Sequence, residues 1–377
     1  MRRPTKHITY RVAPLASRAP PRHASSSRDL LCAIALRSFV TDGPGSLAAD
    51  ARAIASRLDG TLIPAVPVPR RATGDIHAEA QRTYATWMAK QPVGGVAVWA
   101  HTGRGLHLAG EMRTAVLASW REALPPPAVI VAGCGVPAGG TSLPGDPRVR
   151  TEEVIRRTQT MANDARAGGA DALLVHPPRA LGTLNDANGR VLALHDALAE
   201  VGLPLIAFVL YRRASGLEYD DVLLEELLAL PHVAGVKLAT LDSVMRFQVV
   251  ADRMSSAHPD RLLITGEDRF LGYSLMIGAR CALIGMGAAR TAMQAALVRA
   301  VIANDAAAVI RLTRACDHFA AATFTEPMEG YIRRMLWALA DDGVIPDDAC
   351  HDPEGPPLDP AERARVARVM RTLDSLT

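Results

Sequence analysis

The sequence predicts an α/β fold, a (β/α)8 TIM barrel with a C-terminal helical extension. Three observations lead there. From Gly60 onward, eight short apolar runs alternate with longer stretches of helical periodicity. The runs are continuously apolar rather than alternating, as expected of strands in a parallel sheet covered on both faces. Eight such units in about 230 residues match the barrel. A doubly wound open sheet is the rival, but it carries a glycine-rich phosphate turn after its first strand. Here the first run leads into Pro67-Val68-Pro69-Arg70-Arg71.

In chain order, residues 1–58 read as an N-terminal extension. Met1 to Ser27 is rich in Arg, Pro, Ser and His, has no acidic residue and shows no period. It lacks the apolar core of a secretory signal. A disordered tail or a start codon placed too early is expected, with a transit peptide as the alternative. Asp29 to Leu58 has helical spacing broken by Thr41-Asp42-Gly43-Pro44-Gly45, which predicts one or two short helices packed outside the barrel. The barrel is assigned to residues 59–303, with strands at Leu62–Val66, Gly95–Trp99, Ala128–Ala132, Ala172–Val175, Leu205–Leu210, Val233–Leu238, Arg261–Ile264 and Cys281–Gly285. The intervening helices are Ile76–Lys90, Glu111–Ala123, Glu152–Ala167, Val191–Glu200, Asp220–Leu230, Ser243–Met254, Arg269–Ile277 and Ala292–Ile302. Gly133–Val149 and Pro177–Asn188 read as long loops, the first a candidate lid. Residues 304–377 form the helical tail, with helices at Ala306–Ala322, Pro327–Ala340 and Ala361–Leu373 and a Pro/Gly/Asp-rich turn at Asp347–Pro360.

Bulk properties narrow the function classes. At 377 residues and 49% hydrophobic content the chain can bury a large core. A net charge of +3 without blocks of like charge gives no reason to expect nucleic acid or a membrane surface as partner. No apolar stretch approaches the ~20 residues of a membrane helix. Cys32, Cys134, Cys281, Cys316 and Cys350 are scattered, with no CxxC pair, which points to a reducing compartment and a cytoplasmic location.

Catalytic groups of a barrel come from the C-terminal ends of its strands. Those ends carry His101-Thr102-Gly103-Arg104 on strand two, Gly133-Cys134-Gly135 on strand three, His176-Pro177-Pro178-Arg179 on strand four, Tyr211 to Gly216 on strand five and Thr265-Gly266-Glu267-Asp268 on strand seven. Strand six holds Lys237, followed by Thr240 and Asp242. The other lysines are Lys6 and Lys90, so a composition that favours arginine keeps one lysine inside an apolar strand. Burial lowers a lysine's pKa, and a neutral amine can form a Schiff base with a carbonyl. The competing reading is a strand-end lysine paired with a carboxylate. No His/Asp/Glu set has metal spacing, so neither a metal nor another cofactor is expected.

These strand-end segments resemble the dihydrodipicolinate synthase / N-acetylneuraminate lyase family, the pyruvate-dependent class I aldolases. The likeness runs from about Gly60 to the C-terminus. Gly235-Val236-Lys237 is similar to the family's Gly-Ile/Val-Lys with its Schiff-base lysine. Tyr211 with Ser215-Gly216 resembles its Tyr-Asn…Thr-Gly, with a turn about two residues shorter. Ala132-Gly133-Cys134-Gly135 resembles Ala-Gly-Thr-Gly, Gly168-Gly169-Ala170-Asp171-Ala172 resembles Gly-Ala-Asp-Ala, and Gly266-Glu267-Asp268 resembles Gly-Asp-Asp. The tail Pro356-Pro357-Leu358-Asp359-Pro360-Ala361-Glu362 also fits. Two departures stand out. The family's Gly-Thr-Thr-Gly-Glu reads Ala100-His101-Thr102-Gly103-Arg104, and Pro-Tyr-Tyr of the synthase branch reads Pro177-Pro178-Arg179. The tyrosine that crosses to a neighbouring subunit in that branch, and the proton relay it serves, are therefore missing, which argues against an authentic dihydrodipicolinate synthase.

The resemblance implies that Lys237 is the nucleophile and Tyr211 the acid/base beside the imine. Thr102 and the Gly103 amide would hold the carboxylate of a 2-keto acid. His101 either replaces the lost hydroxyl relay or fills the barrel mouth, and His176 is either a pocket wall or a second acid/base. Gly266 lies at the substrate. Arg104, Arg179, Arg212 and Arg213 either bind a second anionic group by a bidentate fork or are solvated loop residues. Glu267-Asp268 is expected to cap a helix. The implied activity is a Schiff-base lyase acting on pyruvate or another 2-keto acid, in a homotetramer or dimer. A hydro-lyase using the same imine and an inactive barrel with a structural role are the alternatives.

Overall fold

The computed structural model describes residues 46–241 and 243–373. The expectations for Met1–Ser27 and Cys32, and for Asp242, lie outside the described residues. Eight parallel strands form one sheet: β1 (Leu62–Pro64), β2 (Gly95–Val98), β3 (Val129–Cys134), β4 (Ala172–Val175), β5 (Leu205–Leu210), β6 (Val233–Ala239), β7 (Leu262–Thr265) and β8 (Cys281–Ile284). Neighbours run β1-β8-β7-β6-β5-β4-β3-β2. The gap between β1 and β2 is spanned by a parallel bridge, Ala65 to Ala97, with the Val66 amide donating to the Ala97 carbonyl at 3.1 Å. The sheet closes into a barrel, as the apolar runs predict.

Helices alternate with these strands: α1 (Leu47–Leu58), α2 (Ala78–Met88), α3 (Gly110–Ala123), α4 (Pro147–Ala167), α5 (Ala187–Ala197), α6 (Arg212–Ser215), α7 (Asp221–Ala229), α8 (Val244–Ala257), α9 (Leu271–Met276) and α10 (Thr291–Ile302). The tail contributes α11 (Ala306–Thr323), α12 (Tyr331–Asp341) and α13 (Pro360–Leu373). Two departures from expectation bear on the loops. Helix α4 starts inside the predicted Gly133–Val149 loop, because Asp146 accepts from the Arg148 and Val149 amides and Pro147 occupies the first turn. The short α6 directly after Tyr211 was not predicted; a turn of four residues is too brief to show a period.

Side chains alternate between the barrel interior and the helix layer, the period of two of a strand. Ile63, Ala97, Val131, Leu174, Ile206, Phe208, Ile264 and Leu283 share one cluster inside the barrel. Leu62, Val96, Val98, Ile130, Leu173, Ala207, Val236 and Leu238 pack outward against the helices. Lys237, between outward Val236 and Leu238, therefore falls on the interior parity. Its register partners are Phe208 on β5 and Ile264 on β7, both interior residues.

Helix α1 is not packed on the outside as expected. Its Ala51, Ile54 and Leu58 belong to the interior cluster, so the helix seals the barrel's core against water. Ser46 caps it by accepting from the Ala49 amide. No helix of the described residues is long and apolar enough to cross a membrane.

The tail is tied together by a buried cation. Arg334 on α12 is 0% exposed, and its Nε donates to Glu362 on α13 at 2.5 Å. Nη1 donates to the carbonyls of Thr323, Thr325 and Pro327 at 3.2, 2.8 and 3.3 Å. One guanidinium thus ties together the end of α11, the following turn and both later helices. Arg334→Ala removes the donor and leaves Glu362 and three carbonyls without it. Chemical denaturation should show a loss of about 3–5 kcal/mol, and a much smaller loss for exposed Arg148→Ala, which removes only an i,i+4 pair.

Candidate active site

Lys237 lies 5% exposed in the barrel interior, with Nζ 4.2 Å from the centre of the Phe208 ring. A cation over an aromatic face is attracted to it, but weakly against the cost of leaving water. Asp268 and Glu267 act on the amine through space without forming an ion pair with it. Burial lowers the amine to about 8, and the two carboxyl groups only partly offset that. Burial likewise raises Asp268 to about 7, opposed by the Met286 amide, which donates to Oδ1 at 2.6 Å. Both groups are driven toward their neutral forms.

Lys237 reaches its place because of an absent side chain. A Cβ on Gly266 would stand 2.7 Å from the lysine's Cε and 2.9 Å from the Leu238 carbonyl oxygen. Gly285, after the neighbouring strand β8, also leaves space, since a Cβ there would meet the Tyr331 ring at 2.9 Å and Thr102 Oγ1 at 3.1 Å. Beside them lies a cavity of about 30 Å³. It is lined by Lys237, Asp268, Tyr211, His101, Thr102 and Tyr331, with Phe208, Leu210, Leu241, Phe324 and Met328 as its large apolar members.

A carboxylate from the tail organises the mouth. Both oxygens of Glu329 lie 3.0 Å from His101 Nε2, Arg104 Nη1 donates to Oε2 at 2.9 Å, and the Tyr211 hydroxyl donates to Oε1. Burial opposes ionisation of Glu329, but the His101 and Tyr211 hydrogen bonds and the Arg104 charge outweigh it. The carboxyl is held well below the usual range. Burial and then the Glu329 contact push the Tyr211 phenol well above its ordinary value, so Tyr211 keeps its proton. Two residues on, the Tyr331 hydroxyl meets Thr102 Oγ1 at 2.9 Å.

The predicted residues divide accordingly. Lys237, Tyr211, His101, Thr102 and Gly266 come together around the cavity. Gly103 and Arg104 do not line it. The Gly103 amide donates to the Ala100 carbonyl at 3.0 Å, which removes it as a carboxylate holder. Arg104 is neither a solvated loop residue nor a substrate clamp, because Asp352 takes its Nε and Nη2 at 3.1 and 2.8 Å while Glu329 takes Nη1. His176 also stays off the cavity surface. Its Nε2 lies 3.1 Å from the Trp99 carbonyl and its ring packs edgewise on Phe208. Burial lowers it to about 4, so it is neutral and supports the ring beneath Lys237. Arg179 and Arg212 are exposed, and Arg213 pairs with Glu326 at 2.6 Å outside the cavity.

Glu267 and Asp268 do not cap a helix, since α9 begins at Leu271 after Phe270. Glu267 instead accepts from the Thr240 and Leu241 amides at 2.6 and 3.0 Å and from the Thr240 hydroxyl at 2.9 Å. Glu329, Tyr331, Phe324 and Met328 were missed by sequence reasoning. They sit in a tail whose helical period says nothing about a strand more than 200 residues away. The one available signal was Glu329 beside Pro327 and Gly330, a helix-breaking segment with a carboxylate in it.

Space at Gly266 can be tested apart from any reaction. Gly266→Ala should destabilise by about 1–3 kcal/mol through overpacking against Lys237. Gly145→Ala, where a Cβ meets nothing within 4 Å, should be close to neutral. Denaturation midpoints of the two variants check this.

No family model matches the chain, and no curated protein does. Solved structures do. A catalytic-lysine mutant of the Ruminococcus gnavus sialic acid aldolase matches with a TM-score of 0.68 at 16% identity, over 85% of this chain and 97% of that one. A prophage protein of the dihydrodipicolinic acid synthase family from E. coli K12, solved with pyruvate, matches at 0.69 and 19%, over 83% and 98%. Dihydrodipicolinate synthase from Agrobacterium tumefaciens matches at 0.69 and 21%, over 85% and 99%. The chain has the fold of these aldolases and synthases along nearly the whole of their length.

Proposed function

We propose that this chain is a divergent member of the pyruvate-dependent class I aldolases and a Schiff-base lyase, with Lys237 as nucleophile. The observation that carries the reading is a desolvated amine, without an ion pair, on the surface of a barrel cavity beside a tyrosine hydroxyl. A structural lysine at such a depth would be matched with a carboxylate in contact. Similar folds whose descriptions name pyruvate and a catalytic lysine add support.

The substrate class is a 4-hydroxy-2-oxo acid. The neutral Lys237 amine adds to the C2 ketone, and the resulting carbinolamine loses water to give an iminium. The C3–C4 bond then breaks, and its electron pair enters the iminium to form an enamine. The C4 hydroxyl gives its proton to the Tyr211 phenolate left by the dehydration, and C4 departs as an aldehyde. The enamine takes a proton at C3, and water hydrolyses the imine to release pyruvate and restore the amine. Tyr211, which holds its proton against Glu329 in the resting site, turns that O–H from Glu329 to the departing hydroxyl of the carbinolamine and protonates it. Thr102, paired with Tyr331, faces the carboxylate end of the bound acid.

Borohydride reduction in the presence of pyruvate should leave an adduct on the peptide carrying Lys237, detected by mass spectrometry and absent in Lys237→Ala. Failure to trap any 2-keto acid on folded protein would overturn the reading. Trapping should rise with pH through a midpoint near 8, because only the deprotonated amine attacks and burial lowers its pKa. The Asp268 charge favours the ammonium, so Asp268→Asn should move that midpoint to lower pH.

A further inference from the structure

We infer that the aldehyde half of the substrate is uncharged and apolar, an aromatic or branched aliphatic aldehyde rather than a sugar or a compound with a second carboxylate. This rests on the Schiff-base reading and adds the acceptor class to it. Three features of the cavity carry it.

The first is the wall. Leu210, Leu241, Phe324 and Met328 line the same cavity as Lys237 and come from β5, the turn after β6 and the tail. Apolar surface contributed from three separate elements makes a continuous lining and not a single stray side chain.

The second is how Leu241 is held. It has φ +60°, a left-handed backbone conformation that a branched leucine side chain disfavours. The buried Glu267 carboxylate accepts from its amide and from that of Thr240, which imposes the turn. A residue kept in an unfavourable conformation by buried hydrogen bonds, with its side chain in a cavity, belongs to a functional wall.

The third is the state of the polar groups. His101 and Tyr211 are bonded to Glu329, and Thr102 to Tyr331. Arg104, two residues after Thr102, faces two carboxylates, Glu329 and Asp352. A second carboxylate or phosphate on the substrate would meet a carboxylate-rich cluster rather than a free guanidinium. A polyhydroxylated aldehyde would have to break existing bonds to satisfy its hydroxyls.

The test compares four 4-hydroxy-2-oxo acids that release pyruvate and differ only beyond C4: phenyl, isopropyl, carboxylate and dihydroxyethyl. Pyruvate release is measured for each, with borohydride trapping of pyruvate on Lys237 run in parallel. The expected result is a kcat/KM for the phenyl and isopropyl compounds about 100-fold above the other two. Leu241→Asn, which suits the left-handed turn, should cut that ratio at least tenfold. A pyruvate adduct together with equal or faster cleavage of the carboxylate or dihydroxyethyl compound overturns the inference and leaves the Schiff-base reading standing. So does an adduct with no cleavage of any of the four. No adduct and no cleavage overturns both.

Discussion

A primary amine held in the apolar interior of a closed barrel is the constraint around which this molecule is arranged. Moving an ammonium out of water costs several kcal/mol even after relaxation. A fold can keep such a group by pairing it, by neutralising it or by cushioning it. Burial draws Lys237 toward its neutral form, with the Phe208 face beneath it and two buried carboxyl groups nearby but out of contact. Those carboxyl groups are themselves occupied with backbone amides, Glu267 with Thr240 and Leu241 and Asp268 with Met286. Their attachment to the backbone keeps them from swinging in to form an inert ion pair. Gly266 completes the arrangement by leaving the volume through which the lysine side chain passes.

The barrel and the tail each supply half of the site. Strands provide the amine, Tyr211 and the Thr102 turn, all at the C-terminal ends where a parallel barrel exposes its strand termini. The turn between α11 and α12 provides Phe324, Met328, Glu329 and Tyr331. Arg334 gives that turn its shape by filling the space behind it with five donors against carbonyls and Glu362. A stability element two turns away therefore determines where a carboxylate meets Tyr211. The Thr102 hydroxyl has a tyrosine partner from its own chain, Tyr331.

How much of this could be read from residues alone follows from the range of the interactions. Strands came through as apolar runs because each is buried on both faces, a local pattern that survives without knowledge of the partners. Helix α4 was shortened because its start depends on a cap and a proline inside a glycine-rich stretch, and composition favoured a loop. Lys237 stood out for a compositional reason: one lysine kept in a strand of an arginine-rich chain. Arg104 and His176 sit at the strand ends the barrel rule points to, but whether such a residue faces substrate depends on what else reaches it. Asp352 reaches Arg104 from 248 positions away.

By itself the sequence determined the barrel, its strand order and the strand that carries the amine, since apolar period and strand-end position are properties of short segments. Only the tertiary structure decided which polar groups are left to act. Glu329 draws His101, Arg104 and Tyr211 to one carboxylate across 228, 225 and 118 positions. The ionisation of each group depends on that meeting and on burial, and neither exists until the tail folds over the barrel mouth.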